Sequence, residues 1–232
     1  MKKLVLILAI IILISSCKKA DAAAECVLGC VIFYFDNPQP DNDSELNRFP
    51  NKFRGLYVNP DSTFIRIEED RILREYYNKI KVHKLTLDST KAKYDIVDGK
   101  LIAKDTKYKY DMLSKGDSVE LIQKNIDTLF RFSLFEKAKR IDGQLILSRK
   151  DSIFWNVQFV SIDKNILKFK HFNDRKDLKK LDSVTKIKGK MLDSISYLIK
   201  PTRSEFKKIL KIKDLGYDTE YKMVSKINME KI

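Results

Sequence analysis

Glycine is scarce in this chain, and so are the residues on which catalysis and cofactor binding most often draw. Seven glycines and five prolines among 232 residues rule out a collagen-like or low-complexity chain. No glycine-rich phosphate loop, G-x-S-x-G or H-E-x-x-H pattern occurs. The two histidines, His83 and His171, each sit beside a lysine in a strand-like pattern and are expected as exposed strand residues rather than as a base or metal ligand. All three cysteines, Cys17, Cys26 and Cys30, lie near the N-terminus, so the rest of the chain offers no thiol nucleophile. The recurring Asp-Ser steps, such as Asp61-Ser62 and Asp193-Ser194, lack the dense oxygen ligands of calcium loops and are expected as turns. No metal, cofactor or catalytic residue is therefore expected. The enzymatic alternative rests on Glu68, Glu69 and Asp70, two of which could serve as acid and base in a glycosidase-like site. "EEDR" between two apolar runs reads first as a charged hairpin tip.

Long apolar runs are missing as well. The longest, Leu4 to Ile14, has eleven residues, roughly 16 Å of helix against a hydrocarbon core of about 30 Å, too short for a permanent transmembrane segment. With Lys2 and Lys3 ahead of it, the run has the form of a signal peptide over residues 1–16. Ile14-Ser15-Ser16-Cys17 resembles the lipobox of bacterial membrane lipoproteins. That resemblance implies cleavage before Cys17, a diacylglyceryl group on its thiol and an acyl chain such as palmitate on its new amino terminus. Two or three chains hold a protein durably, because each buried CH₂ contributes about 0.8 kcal/mol. Lys18 stands where the family's inner-membrane members carry aspartate, which implies an outer-membrane lipoprotein. The scarcity of acids just after Cys17 favours a periplasm-facing orientation over surface exposure. The Lys-, Ile- and Asn-rich style is similar to that of uncharacterised Bacteroidota lipoproteins.

Acids are fewer than bases, 32 against 46, for a net charge of +14. Loss of Lys2 and Lys3 with residues 1–16 would leave +12 over 216 residues. The lysines are spread among the acids from Lys52 to Lys231, as on solvated faces, and no nucleic-acid partner is expected. In a helix Cys26 and Cys30, four residues apart, would share one face and could form a strained bridge; "CVLGCVIFYF" reads more easily as a buried strand, in which they point the same way but stand too far apart to bond, so the favoured expectation is two reduced cysteines.

What is abundant is alternation. After an anchor and tether over residues 17–25, the apolar strand and the Pro/Asn-rich loop "DNPQPDNDSELNRFPN" fill residues 26–52. Residues 53–172 repeat short apolar-polar strands between turns. Ile65 and Ile67, Ile80 and Val82, Leu85 and Leu87, Val119 and Leu121, and Phe130, Phe132 and Leu134 each share one strand face, since successive side chains point to opposite faces. Ile153, Trp155, Val157 and Phe159 do the same. Asp98-Gly99 and Asp142-Gly143 fit two-residue hairpins. Residues 173–232 are expected as an extension packed on this domain, with a helix from Thr202 capped through Glu205, a shorter helix over Asp174 to Leu181, and a weak strand from Glu220 to Lys226.

The fold class expected is mainly β: an antiparallel meander forming a sandwich or partly closed barrel, with one or two short C-terminal helices. The functional reading is a lipid-anchored, non-catalytic β-domain of the cell envelope that contacts the membrane through its anchor and an envelope component through its surface. A second reading is a lipocalin-like barrel whose aromatics, Phe130, Phe132, Trp155, Phe159 and Phe169, line a cup for an apolar ligand.

Overall fold

Alternating patterns build strands over most of the chain, and the computed structural model describes residues 30–226. Fifteen strands run in chain order: β1 Ile32–Phe35, β2 Gly55–Val58, β3 Phe64–Ile67, β4 Arg71–His83, β5 Tyr94–Val97, β6 Lys100–Ala103, β7 Lys109–Lys115, β8 Ser118–Arg131, β9 Glu136–Ile141, β10 Gln144–Asp151, β11 Phe154–Asp163, β12 Ile166–His171, β13 Lys190–Met191, β14 Ser196–Ile199 and β15 Tyr217–Ser225. Three α-helices, α1 Lys84–Ser89, α2 Arg175–Val184 and α3 Arg203–Ile209, complete the described elements with a short 3₁₀ turn at Lys91–Lys93. The protein is mainly β, and its pairing is antiparallel except where β1 runs parallel to β14.

Nine strands, in the order β9-β10-β11-β12-β15-β2-β3-β4-β8, send side chains into one core. Ile65, Ile67, Ile72, Phe130, Leu145, Val160 and Leu167 meet there with Tyr57, Phe169 and Tyr221. A run of this length can share one core only by folding round it, as a sandwich or partly open barrel does, and the sheet is not closed; we call this part the barrel. Its two ends, β8 and β9, are joined by a tight turn without a ladder between them. The loop after β1 straps the gap: Leu46 bridges Ala138 on β9, and Phe49 N–H donates to Glu69 O at 2.8 Å in the β3–β4 turn. Phe49 and Phe53 fill the core from this loop, fully buried. Lys139 holds the strap from below, donating to Pro38 O and Pro40 O, each at 2.9 Å. Burial pulls its ammonium below the usual lysine range, and the nearby acids Glu45, Asp41 and Asp43 offset part of that.

A second core lies on the outer face of β9, β10 and β11. Strand β11 forks the sheet: one edge pairs with β10, while the other pairs with β1 at Trp155 and Asn156 and with β12 from Phe159 onward. Trp155, Phe159 and Ile146 pack with Phe33 and Phe35 of β1, Ile199 of β14, Leu181 of α2, and Phe206 and Ile209 of α3. Both long helices form where their caps specify: Asp174 pairs reciprocally with Asp177 at α2, and Thr202 with Glu205 at α3. Phe206 and Ile209 are fully buried, so α3 docks on the sheet as its apolar stripe requires.

Four expectations are corrected. Lys84 to Ser89 is helical, with Leu87 buried and Leu85 73% exposed; an L-x-L pair fits either period over six residues, and the His83 ring, accepting from Leu85 N–H, caps the helix. β8 ends at Arg131, so Leu134 leaves the face it was assigned and stands 79% exposed in the turn. Cys30 is disulfide-bonded rather than reduced. Strand geometry does not govern it, because β1 begins only at Ile32, and its partner lies outside the described residues. The last strand is not a weak terminal one: β15 is inserted between β12 and β2, which weaves the C-terminal segment into the sheet. Gly216 makes that entry feasible, since at φ +60° a Cβ there would lie 1.8 Å from His171 O.

Candidate interaction surface

Strands β4 and β8 outrun the barrel. Their ladder continues through thirteen pairs from Arg71–Arg131 to His83–Ser118, with one bulge after Ile72, a ribbon of about 40 Å at roughly 3.3 Å per residue. The last β3 partner along β4 is Glu75, opposite Phe64, and β7 joins β8 only from Ile122, opposite Asp111. Between those points the pairs Tyr76–Asn125, Tyr77–Lys124 and Asn78–Gln123 stand as a two-stranded neck. Ribbons of two strands are marginal by themselves. The base of this one is braced by charge. Glu75, buried, accepts from Arg66 at 2.6 Å and pairs with Lys124 at 2.7 Å, while Arg74 pairs with Asp127 at 2.9 Å. Burial would raise the Glu75 carboxyl, but hydrogen bonds from Lys124 and Arg66 outweigh it and leave the group below the usual carboxylate range.

Beyond the neck, β5, β6 and β7 extend the β4–β8 ladder into a five-stranded lobe covered on one face by α1. Its core is small: Leu87, Tyr94, Leu101, Val119 and Leu121, with Val82, Tyr110 and Met112 partly buried around them. None of these residues enters either core of the body. The Asp98-Gly99 hairpin turns with φ of 51° and 71°, both positive as its type demands. The lobe leaves Ile80, Ile96, Val97 and Leu113 about half exposed, between 48% and 56%. On the face away from α1, Lys79, Lys81, Lys100 and Lys115 alternate with Asp111 and Glu120, and Lys100–Asp111 and Lys115–Glu120 form ion pairs at 2.9 and 2.7 Å. The surface is thus amphipathic and charge-laddered, suited to protein contact. The sequence signals the strands but not their projection, because nothing local announces that β4 and β8 outlast their neighbours.

The aromatics singled out from the sequence divide between the two cores. Phe130, Phe132 and Phe169 belong to the barrel cluster, where Phe130 and Phe132 meet Phe49 with ring centroids 5.6 and 4.8 Å apart. Trp155 and Phe159 face the other way, Phe159 packing edge-on to Phe206 at 5.6 Å. The carboxylates of the β3–β4 turn are each engaged by arginine: Glu68 by Arg71, Glu69 by Arg48 and Arg54, Asp70 by Arg71 and Arg131. His83 lies 3.5 Å from Asp117, and His171 stacks on Tyr217. Cys17 lies outside the described residues.

A cleft of about 540 Å³ opens between the end of α2 and the start of α3, with Glu205 in its wall. Glu205 is spoken for: it accepts from Thr202 N–H and hydroxyl at 2.8 and 2.9 Å and from Lys186 N–H at 2.7 Å. The backbone bond from Thr202 chiefly holds its carboxyl below the usual range, so its work is to cap α3 and fix the linker from α2. Among the described residues no cluster of three His, Cys, Asp or Glu side chains could hold a metal ion, and no helix is long and apolar enough to cross a membrane. Compared with protein-family models, curated proteins and solved structures, the chain finds no match.

Proposed function

We propose that this is a lipid-anchored β-domain of the cell envelope, held in the outer membrane through Cys17 and facing the periplasm, which uses its projecting lobe to contact another envelope component without catalysing a reaction. The observation that carries the reading is the lobe: a separate small core on a two-stranded neck contributes nothing to either body core, yet holds half-exposed apolar side chains out from the body. The Cys30 disulfide supports the compartment. With Cys17 acylated, Cys26 is the one cysteine left to pair with it, and such a bond persists in an oxidising space. The apolar-ligand reading draws less support, since its aromatics are packed against one another on opposite faces of the sheet.

Anchoring is tested by Cys17→Ser, which should shift the protein from the membrane pellet to the soluble fraction or leave it uncut. Contact is tested by a photo-crosslinking amino acid at Leu113 or Val97 in living cells, with Lys211 of the body as reference. Discrete adducts from the lobe positions are expected; equal adducts from Lys211 would remove the lobe from the reading.

A further inference from the structure

Three large apolar side chains stand out at one end of the body. Leu134 is 79%, Phe135 62% and Ile153 70% exposed. They belong to two different turns, β8–β9 and β10–β11, that the sheet brings side by side: Lys150 N–H donates to Phe135 O at 2.7 Å, so the first turn lies along the end of β10. Neither turn is loose. Ser133 Oγ accepts from Phe135 N–H at 3.2 Å and Glu136 N–H at 3.0 Å, Glu136 accepts from Arg149 at 2.6 Å, and Tyr34 donates to Asp151 at 2.8 Å. Ile153 is the second residue of a two-residue turn whose positive φ, 58°, falls on Ser152, so the turn can be made with any polar residue at position 153 and gives no reason for an isoleucine. Arg131, Arg149 and Lys150 border the three, with long stems able to lie along apolar surroundings while their charges stay in water.

We infer that Leu134, Phe135 and Ile153 form a wedge that enters the headgroup–acyl boundary of the bilayer and sets the orientation of the anchored body. The wedge rests on the proposed anchoring through Cys17. Two arguments choose a bilayer over a protein. Three side chains at two turn tips offer on the order of 500 Å², less than the roughly 800 Å² per partner that a standard stable protein interface buries, yet enough for shallow insertion of an already tethered molecule. The tether also reaches. From Cys30, β1 leads to Phe35, which pairs with Trp155 beside the wedge, a climb of about 17 Å. The chain from Cys17 to Cys26 alone can extend about 30 Å.

The test uses the full mature protein reconstituted into vesicles of phosphatidylethanolamine and phosphatidylglycerol whose acyl chains are brominated next to the headgroup. Trp155 is the sole tryptophan. Phe135→Trp in a Trp155→Phe background should emit further to the blue and be quenched several-fold more than Tyr108→Trp on the lobe in the same background. Ile153→Trp with Trp155 retained, read as the difference from wild type, serves if the double variant folds poorly. Flotation of the wild type with the vesicles separates the two ideas: failure to float removes the anchor, whereas flotation without quenching at either wedge position overturns the wedge alone. Concentration-dependent self-association lost in Phe135→Ser, again without quenching, would assign the wedge to a second copy and overturn the bilayer.

Discussion

In the body, β10 is buried at four successive residues, Leu145 to Ser148, because a core lies on each of its faces; in the lobe, β5 has one buried residue of four, Tyr94. The same kind of strand therefore plays two parts. Where both faces are covered, alternation is lost, and Leu145, Ile146 and Leu147 form a continuous apolar run followed by buried Ser148. Where one face is covered by a single short helix, few positions are buried and the remaining edge stays wet. The body's largest side chains are fully buried, whereas the five of the lobe core retain between 5% and 9% exposure. A structure divided this way keeps its stability in one part and leaves the other free to adapt its surface, since regions with few buried contacts open at lower cost than the global fold.

The sharpest way to break that division is to remove each part in turn. Ending the chain before Pro201 deletes α3 and takes β15 from between β12 and β2, so no folded protein should result, as read by the loss of a cooperative urea transition. Replacing residues 79–122 by an Asn-Gly turn between Asn78 and Gln123, which face each other across the neck, should leave that transition within about 1 kcal/mol of wild type. An excision that unfolds the body would show that the lobe is part of one cooperative unit.

A smaller effect sharpens the contrast without deleting anything. Phe206→Ala empties a fully buried site between Phe35 and Phe159 and should lower global stability by about 3 to 5 kcal/mol. Leu121→Ala, in the lobe core, should cost a similar chemical loss yet report it locally: hydrogen exchange should speed in β5 to β7 while Ala138 and Leu145 keep their protection. Equal acceleration in both regions would join lobe and body energetically.

Much of this plan was legible in the sequence. The helix caps at Asp174 and Thr202, the hairpins at Asp98-Gly99 and Asp142-Gly143, and the strand faces of Ile65–Ile67 and Phe130–Phe132 all depend on chemistry within a few residues, and local pattern records it. What was not legible depends on distant partners. β15 is central because β12 and β2 leave a place between them, not because of its own residues, and the two-sided burial around β11 arises from β1 meeting it 122 residues away in sequence, with Tyr34 opposite Asn156. The lobe is a matter of relative strand length. α1 is not legible because Leu85 and Leu87 are too few to define a period.

The smallest expected effect tests the comparison at matched positions. Gly99 and Gly143 both follow an aspartate, both have positive φ, of 71° and 82°, and a Cβ at Gly99 meets nothing within 4 Å while one at Gly143 approaches only Lys52 Nζ at 3.8 Å. Space is therefore not the issue at either site, and valine should cost about 1 to 2 kcal/mol at each through backbone strain alone. The location of the cost differs. Gly143 joins β9 to β10, which line both body cores, so Gly143→Val should lower the urea midpoint of the whole protein. Gly99 joins β5 to β6 at the lobe's outer edge, so Gly99→Val should spare that midpoint and raise exchange only in the lobe. Lobe contacts in the cell should weaken with it, because half-exposed Ile96 and Val97 lie directly before that turn. Equal shifts of the global midpoint would show that strain passes through the three-pair neck, and the lobe would then be a rigid arm of the body rather than an adaptable one.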